Sequence, residues 1–289
     1  MRLVTLDSRE VGGRPGLILP SGEILDLAAS PSGLTAAQWR PQSVVSVIAE
    51  GEEGAARVAR LVAEFESSSD AQRQQWRTSG RLLPAAGTRL MQPIRRPGLL
   101  LMVTDGLGNR TACYVKNPNS ATGPDAILPM PEGEHPHLYL LGMVGLVIGR
   151  PLFRGTEAQA ARSIAALTLV ADLGTRRLDR GPDDGRADAR QFPGACVVGP
   201  ALVTADEFPA TPAWELTIRI NGRAAGAGPS VLNAERAATV LAGLSSRYAF
   251  RPGDVVGLPA GVGEFELPAD SRITLALDAT LELCFSTGT

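Results

Sequence analysis

Lys116 is the only lysine in this chain of 289 residues; every other basic side chain is arginine. A genome-wide preference for arginine explains the skew but not the one survivor. An ammonium is a compact point charge with a tunable pKa, which a guanidinium is not. The lysine stands in "YVKNPNS", where Asn117, Asn119 and Ser120 read either as ligands or as residues of a turn around Pro118. A second stretch, "EGEHPH" (Glu132–His137), holds both histidines and two glutamates. It reads as a solvated loop or as a displaced transition-metal site on His135 and His137, although the intervening proline limits their convergence. Between these polar stretches and the middle of the chain lies "LYLLGMVGLVIG", Leu138–Gly149, without one charge.

Composition narrows the classes. A net charge of −2 with scattered arginines gives no basic footprint, so nucleic acid is not expected as a partner. Cys113, Cys196 and Cys284 are odd in number and far apart, which suits free thiols in a cytoplasm. No CxxC supports a zinc site. The apolar runs fall short of the ~20 residues that a membrane helix needs, and no signal core opens the chain. "GLGN" and "GVGEF" are glycine-rich, yet neither leads into a helix as a phosphate cradle would.

The elements that must carry these residues follow from periodicity. "RLVTL", "GLILP" and "SGEILDL", with a turn at "PSGE", predict a hairpin or meander. "TAAQWR" and residues 43–69 have helical spacing, and "SSSDAQRQQWRTSG" reads as an exposed helix or linker. Pro/Gly punctuation near residues 90–97 divides a small mixed α/β domain, 1–92, from a larger β-dominated one, 93–289. Beyond it come a buried strand at "LLLMV", a strand at "ACYV", and the oily strand. "TEAQAARSIAALTLVADLG" predicts a helix running into a short strand, and "SVLNAERAATVLAGLSSRY" a helix from about Ser230. "RITLALDATLELCF" alternates towards a closing strand.

The order of short motifs, "PIRRPGLLLMV", "YVKNPNSATGPDAILP", "GLVIGR", "ALTLVADLGTRR", "VVGPALVTADE", "LTIRING" and "RPGDVVGLPAGVG", resembles the fumarylacetoacetate hydrolase superfamily over almost the whole chain. The resemblance implies an α+β, β-dominated fold: a mixed β-roll C-terminal domain behind a small α/β N-terminal domain. It also implies a homodimer that handles 2-oxo or 1,3-dioxo acids with magnesium or manganese.

The departures from that pattern are specific. The family's E-x-E pair falls on Leu141 and Met143, and only its Asp is kept, as Asp172. The short segment "MVTDGLGNRTACYVK" leaves no room for the lid helix with its His and Glu. The family's catalytic Lys falls on Arg190, its Gln on Ala225 and its Thr on Leu258. Magnesium wants near-octahedral oxygen ligands, which Leu and Met do not supply. No cofactor is therefore expected. The resemblance gathers Lys116, Asn117, Asn119, Ser120, Asp172, Arg176 and Arg190 around one cavity walled by Leu141, Met143 and Leu258. Lys116, Asp172 and Arg190 are the candidate catalytic groups, and the others candidate substrate contacts. The alternative for Arg176 and Arg190 is simple pairing with Asp172, Asp179 or Asp188.

Three readings follow. One is a metal-independent enzyme that enolises, isomerises, decarboxylates or cyclises a small carboxylate or dicarbonyl substrate. Another is a non-catalytic ligand-binding or partner subunit of an active homologue. The third is conventional metal-dependent carbon–carbon hydrolysis, with ligands drawn from "EGEHPH" or Asp105.

Overall fold

Short alternating runs begin the chain as the sequence predicts. Strands β1 (Arg2–Leu6), β2 (Arg14–Ile18) and β3 (Ile24–Asp26) form an antiparallel meander. The β2–β3 turn passes through Gly22 at φ +83°, a backbone state that glycine enters without a steric penalty. The computed structural model describes residues 1–8, 13–28, 43–105, 112–130, Glu132, 137–176, 187–208, 213–227, 232–260, 263–278 and 280–289. The predicted helix at 35–40 lies outside these residues.

The helical spacing of residues 43–69 becomes two helices, α1 (Val44–Ala49) and α2 (Glu52–Glu66). Gly51 separates them at φ +58°. Helix α3 (Asp70–Thr78) starts on a capping box between Ser69 and Gln72 and buries Trp76, so it is no mere linker. Two-residue strands β4 (Leu82–Leu83) and β5 (Leu90–Met91) then lead to β6 (Leu100–Asp105) and β7 (Ala112–Lys116). A 3-10 turn at Pro118–Ser120 precedes β8 (Ala121–Thr122) and β9 (Ile127–Leu128).

The oily stretch is strand β10 (His137–Ile148). The following helix α4 is only Glu157–Ser163; β11 (Ile164–Arg176) takes the thirteen residues after it, reversing the expected proportion of helix to strand. The run "IAALTLVA" packs on both faces of a central strand, so its burial carries no helical period. Then come β12 (Cys196–Thr204), β13 (Leu216–Ile220), β14 (Arg223–Ala227) and helix α5 (Ala234–Ser245). Asn233 caps α5 by accepting from the Arg236 N–H, so the helix begins past the expected Ser230. Strands β15 (Val255–Pro259), β16 (Phe265–Leu267), β17 (Arg272–Leu277) and β18 (Leu281–Thr287) complete the chain. The expected single closing strand is thus the β17–β18 hairpin.

Among the described residues, one sheet runs β4-β3-β2-β1-β12-β11-β10-β15-β6-β7, and a second runs β14-β13-β17-β18-β9. Because β1 pairs with β12, the first sheet crosses the division at residue 92 without a break. One face of the large sheet packs on the second sheet and α5, with Leu146, Leu216, Ile218, Leu241 and Phe285 in a common core. The other face packs on α1 and α2, joining Val47, Leu61, Met143 and Val170. In a flat sheet, β7 would stand four strand spacings from β11, about 19 Å away. The direct contacts between their side chains described below require the sheet to curl into a roll. Strand β8 closes that roll by pairing in parallel with β12.

Candidate functional site

Strand periodicity places the chemistry. Register sets Asp172 of β11 opposite Leu141 of β10 on one side and Cys196 of β12 on the other. Directly paired residues share a face, so Leu141, Asp172 and Cys196 form a row, and Met143 lies two residues along the same face. On β7, Tyr114 and Lys116 also share a face by their spacing. The curl of the sheet carries both side chains back onto Asp172.

Asp172 is wholly buried and both of its oxygens are engaged. The buried Lys116 ammonium donates to Oδ1 and also to the Leu173 carbonyl at 3.0 Å. Oδ2 accepts from the Tyr114 hydroxyl at 2.5 Å and from Arg190 Nη1 at 3.0 Å. The other arm of Arg190, Nη2, donates to Glu264 Oε1 at 2.6 Å. Two cations and two carboxylates therefore meet around one phenol. Burial, then the neighbouring Asp172 charge, pushes the Tyr114 phenol well above its ordinary range, so it is a neutral donor. Burial likewise pushes the Cys196 thiol up to about 12, which makes it inert rather than nucleophilic.

Three devices aim Arg190. It ends a 3-10 turn, Ala187–Arg190, on the border of β11. Gln191 clips that turn to the edge of β7: its Oε1 accepts from the Asn117 N–H at 2.7 Å and its Nε2 donates to the Val115 carbonyl at 3.1 Å. Gly174, two residues along the strand from Asp172, leaves room for the guanidinium to lie flat. A Cβ there would come within 3.3 Å of Arg190 Cζ.

Other candidates stand elsewhere. Asn117 Oδ1 accepts from the Asn119 N–H at 3.0 Å, and Ser120 Oγ donates to the Asn117 carbonyl at 2.7 Å. These three residues form a capped turn that joins β7 to β8 along the chain. Leu258 does not line the site: it pairs with Val144 and belongs to the core on the opposite face. Ala225 lies on β14 in the second sheet, not beside Asp172. Arg176 pairs through its backbone with His137, and its side chain lies outside the described residues, as do those of Asp105 and Asp188. His135 and Asp179 also lie outside them. His137 Nδ1 meets Glu266 Oε1 at 2.6 Å, so that ring nitrogen is engaged by a carboxylate.

Sequence reasoning missed Tyr114, Gln191, Glu264 and the packing role of Gly174. Tyr114 had a signal, since it stands two residues before Lys116 on the same strand face. Gln191 adjoins Arg190 in sequence, but its bonds to β7, like the approach of Glu264 and Gly174 to the guanidinium, exist only in the folded chain.

The donor set does not suit a hard divalent cation. On this face Leu141 presents carbon, and the wholly buried Met143 presents a thioether among the apolar side chains of its core. Asp172 is the one carboxylate of that row, and its lone pairs face Lys116, Tyr114 and Arg190. Among the described residues, no group of three His, Cys, Asp or Glu side chains gathers where an ion could sit.

Comparison with known proteins agrees with this frame. The family model for the fumarylacetoacetate hydrolase C-terminal domain matches residues 105–286. An uncharacterised protein of Staphylococcus epidermidis is 28% identical over 180 residues, and one of Staphylococcus haemolyticus is 26% identical over 181. These matches cover 58% and 60% of the chain and the same shares of the relatives, so the chain spans about three fifths of their length. Among solved structures, the fumarylacetoacetate hydrolase of Exiguobacterium antarcticum is similar at TM-score 0.72 and 20% identity, over 100% of this chain and 99% of that one. The maleylpyruvate hydrolase of Sphingobium sp. SYK-6 matches at 0.71 and 20%, with the same coverage. A 2-hydroxyhepta-2,4-diene-1,7-dioate isomerase from Mycobacterium marinum matches at 0.68 and 19%, over 100% and 98%. At these identities the likeness to the solved structures speaks for the β-dominated fold alone.

Proposed function

The chain belongs to the fumarylacetoacetate hydrolase family, and from that premise we propose that it acts without a divalent metal on a small β-dicarbonyl or 2-oxo carboxylate, by moving a proton next to a carbonyl. The observation that carries this reading is Arg190, held between Asp172 and Glu264 with a quarter of its side chain exposed. The names of the solved relatives, built on maleylpyruvate, fumarylacetoacetate and a dienedioate, support the substrate class.

The roles divide by exposure. Lys116 and Asp172 are sealed, so they position rather than react: Lys116 fixes Asp172, and Asp172 fixes Arg190 and Tyr114. Asp172 is thus an orienting carboxylate rather than a base. Arg190 offers a planar cation for a substrate carboxylate or an enolate oxygen. Tyr114, kept neutral, gives its one O–H to Asp172 Oδ2 and so helps to fix the carboxylate that holds Arg190. Glu264, a partly exposed carboxylate in contact with Arg190, is the base within reach of solvent. The α C–H bond breaks, its proton passes to a Glu264 oxygen, and the electron pair moves into the carbonyl oxygen beside Arg190. Return of the proton to a different carbon completes an isomerisation without oxidant or cofactor.

The test is solvent exchange. Chelator-treated protein is incubated in D2O with a panel of acylpyruvates and 2-hydroxydienoates, and deuterium at the α-carbon is read by NMR. Exchange is expected in wild type, with a loss of about 10²-fold in Arg190→Gln. No exchange with any compound refutes the enzyme and leaves a ligand-binding member of the family. Exchange that returns only with added manganese refutes metal independence.

A further inference from the structure

We infer a second binding site, for an amphipathic organic anion, at the far end of the strands that carry the first. Seven residues separate Leu141 from Ile148 on β10, which is about 23 Å of strand. At that far end a cleft of about 530 Å³ opens between α2 and the ends of β10, β11 and β12. This is an ordinary size for a small-molecule site and far more than a packing flaw leaves. Its walls are apolar and small, with Val47, Ile48, Ala55, Ala59 and Ala165 among them.

Charges of both signs line the mouth. Arg150, just after β10, and Arg162, on α4, both line the cleft and both are exposed. Neither takes an ion pair among the described residues. Of the two acids on the rim, only Asp206 takes an ion pair among the described residues. Asp206 meets the terminal amino group at 3.5 Å and accepts from Thr204, while Glu52 stands out in solvent at the start of α2. A second, smaller hollow of about 210 Å³ adjoins the first and shares both arginines, with the exposed ring of Phe153 on its border. Two hollows thus converge on one unpaired pair of guanidiniums. The ligand that fits carries a carboxylate, sulfonate or phosphate group between Arg150 and Arg162 and lays a ring or short chain along the alanines. Nothing in this depends on the chemistry at Arg190.

The probe pair 8-anilinonaphthalene-1-sulfonate and N-phenyl-1-naphthylamine shares its rings and differs in the anion. Fluorescence titration of the intact protein should show one saturable site that favours the sulfonate. Arg150→Gln with Arg162→Gln should weaken the sulfonate at least about tenfold and leave the neutral amine unchanged. Ala59→Trp, which fills the larger hollow, should abolish both. Equal binding of the two probes, or sulfonate binding untouched by the arginine changes, overturns the proposal. So does a dimer in sedimentation that the double glutamine variant dissolves, because a second copy would then be the occupant.

Discussion

Removing the Lys116 ammonium tests the central geometry without any substrate. Lys116 and Asp172 are both wholly inaccessible, and the ammonium also satisfies the Leu173 carbonyl. Lys116→Met keeps the length of the side chain and deletes the charge. Asp172 then keeps Tyr114 and Arg190 but faces Oδ1 with nothing. Breaking a buried pair from one side costs about 3–5 kcal/mol, because the remaining charge stays desolvated. For a chain of this size that is a fall in Tm of about 5–8 °C. The reciprocal change, Asp172→Leu, should cost as much or more, since it strands the Lys116 ammonium and one arm of Arg190. The double variant Lys116→Met with Asp172→Leu should be less damaged than either single change. It removes both charges together and leaves Arg190 its bond to Glu264. Urea unfolding of the four proteins gives the double-mutant cycle, with an expected coupling of about 2–3 kcal/mol. A single variant that loses under about 1 kcal/mol, or strictly additive effects, would refute a sealed pair and with it the roles assigned around Arg190.

Other outcomes follow from the same coordinates. Leu141→Glu with Met143→Glu should lower Tm in chelator, since Met143 is wholly buried and an unpaired carboxylate there costs several kcal/mol; manganese should restore part of the loss, while wild-type Tm should stay unmoved by the ion, and a wild-type shift would overturn the metal-free reading. The Cys196 thiol, held at about 12 against an ordinary 9.0, binds its proton more tightly folded than unfolded. Its contribution to stability is therefore intact below pH 9 and is lost as pH rises from 9 towards 12. At pH 8 a thiol reagent should titrate only the partly exposed Cys113 and Cys284, and Cys196 only after unfolding. Gly149→Ala should cost about 1–3 kcal/mol in urea unfolding, because the new Cβ would meet the Ala165 Cβ at 2.5 Å and the Ile48 carbonyl at 3.2 Å. A neutral result would mean that β10 and β11 do not meet there as described.

The parts of the site legible in sequence are those that the resemblance to the family's motif order marks. It sets Leu141 and Met143 where the E-x-E pair is expected, and the register with β11 puts both beside Asp172. Arg190 was found by counting from "VVGP", and it does meet Asp172. The same kind of count failed at Leu258. A strand has a period of two, so an error of one residue turns a side chain to the opposite face. Leu258 pairs with Val144 and packs on the face opposite Asp172. Helix length was misjudged at α4 because alanine and leucine serve a doubly buried strand as well as they serve a helix.

What the chain by itself determined is the type of each group: one tunable ammonium, one retained aspartate, and an uncharged strand where a cation's ligands would stand. The ammonium follows from residue identity, and the retained aspartate and the place of the uncharged strand from the resemblance to the family's motif order; none of these needs knowledge of neighbours distant in sequence. Only the tertiary structure decided which groups are sealed and which stay open. The curl of the sheet brings β7 onto β11, buries Lys116 against Asp172, and lets Gln191 and Gly174 aim Arg190 at Glu264. Curvature sums small twists over many strands and is closed by contacts far apart in sequence, so no local stretch encodes it.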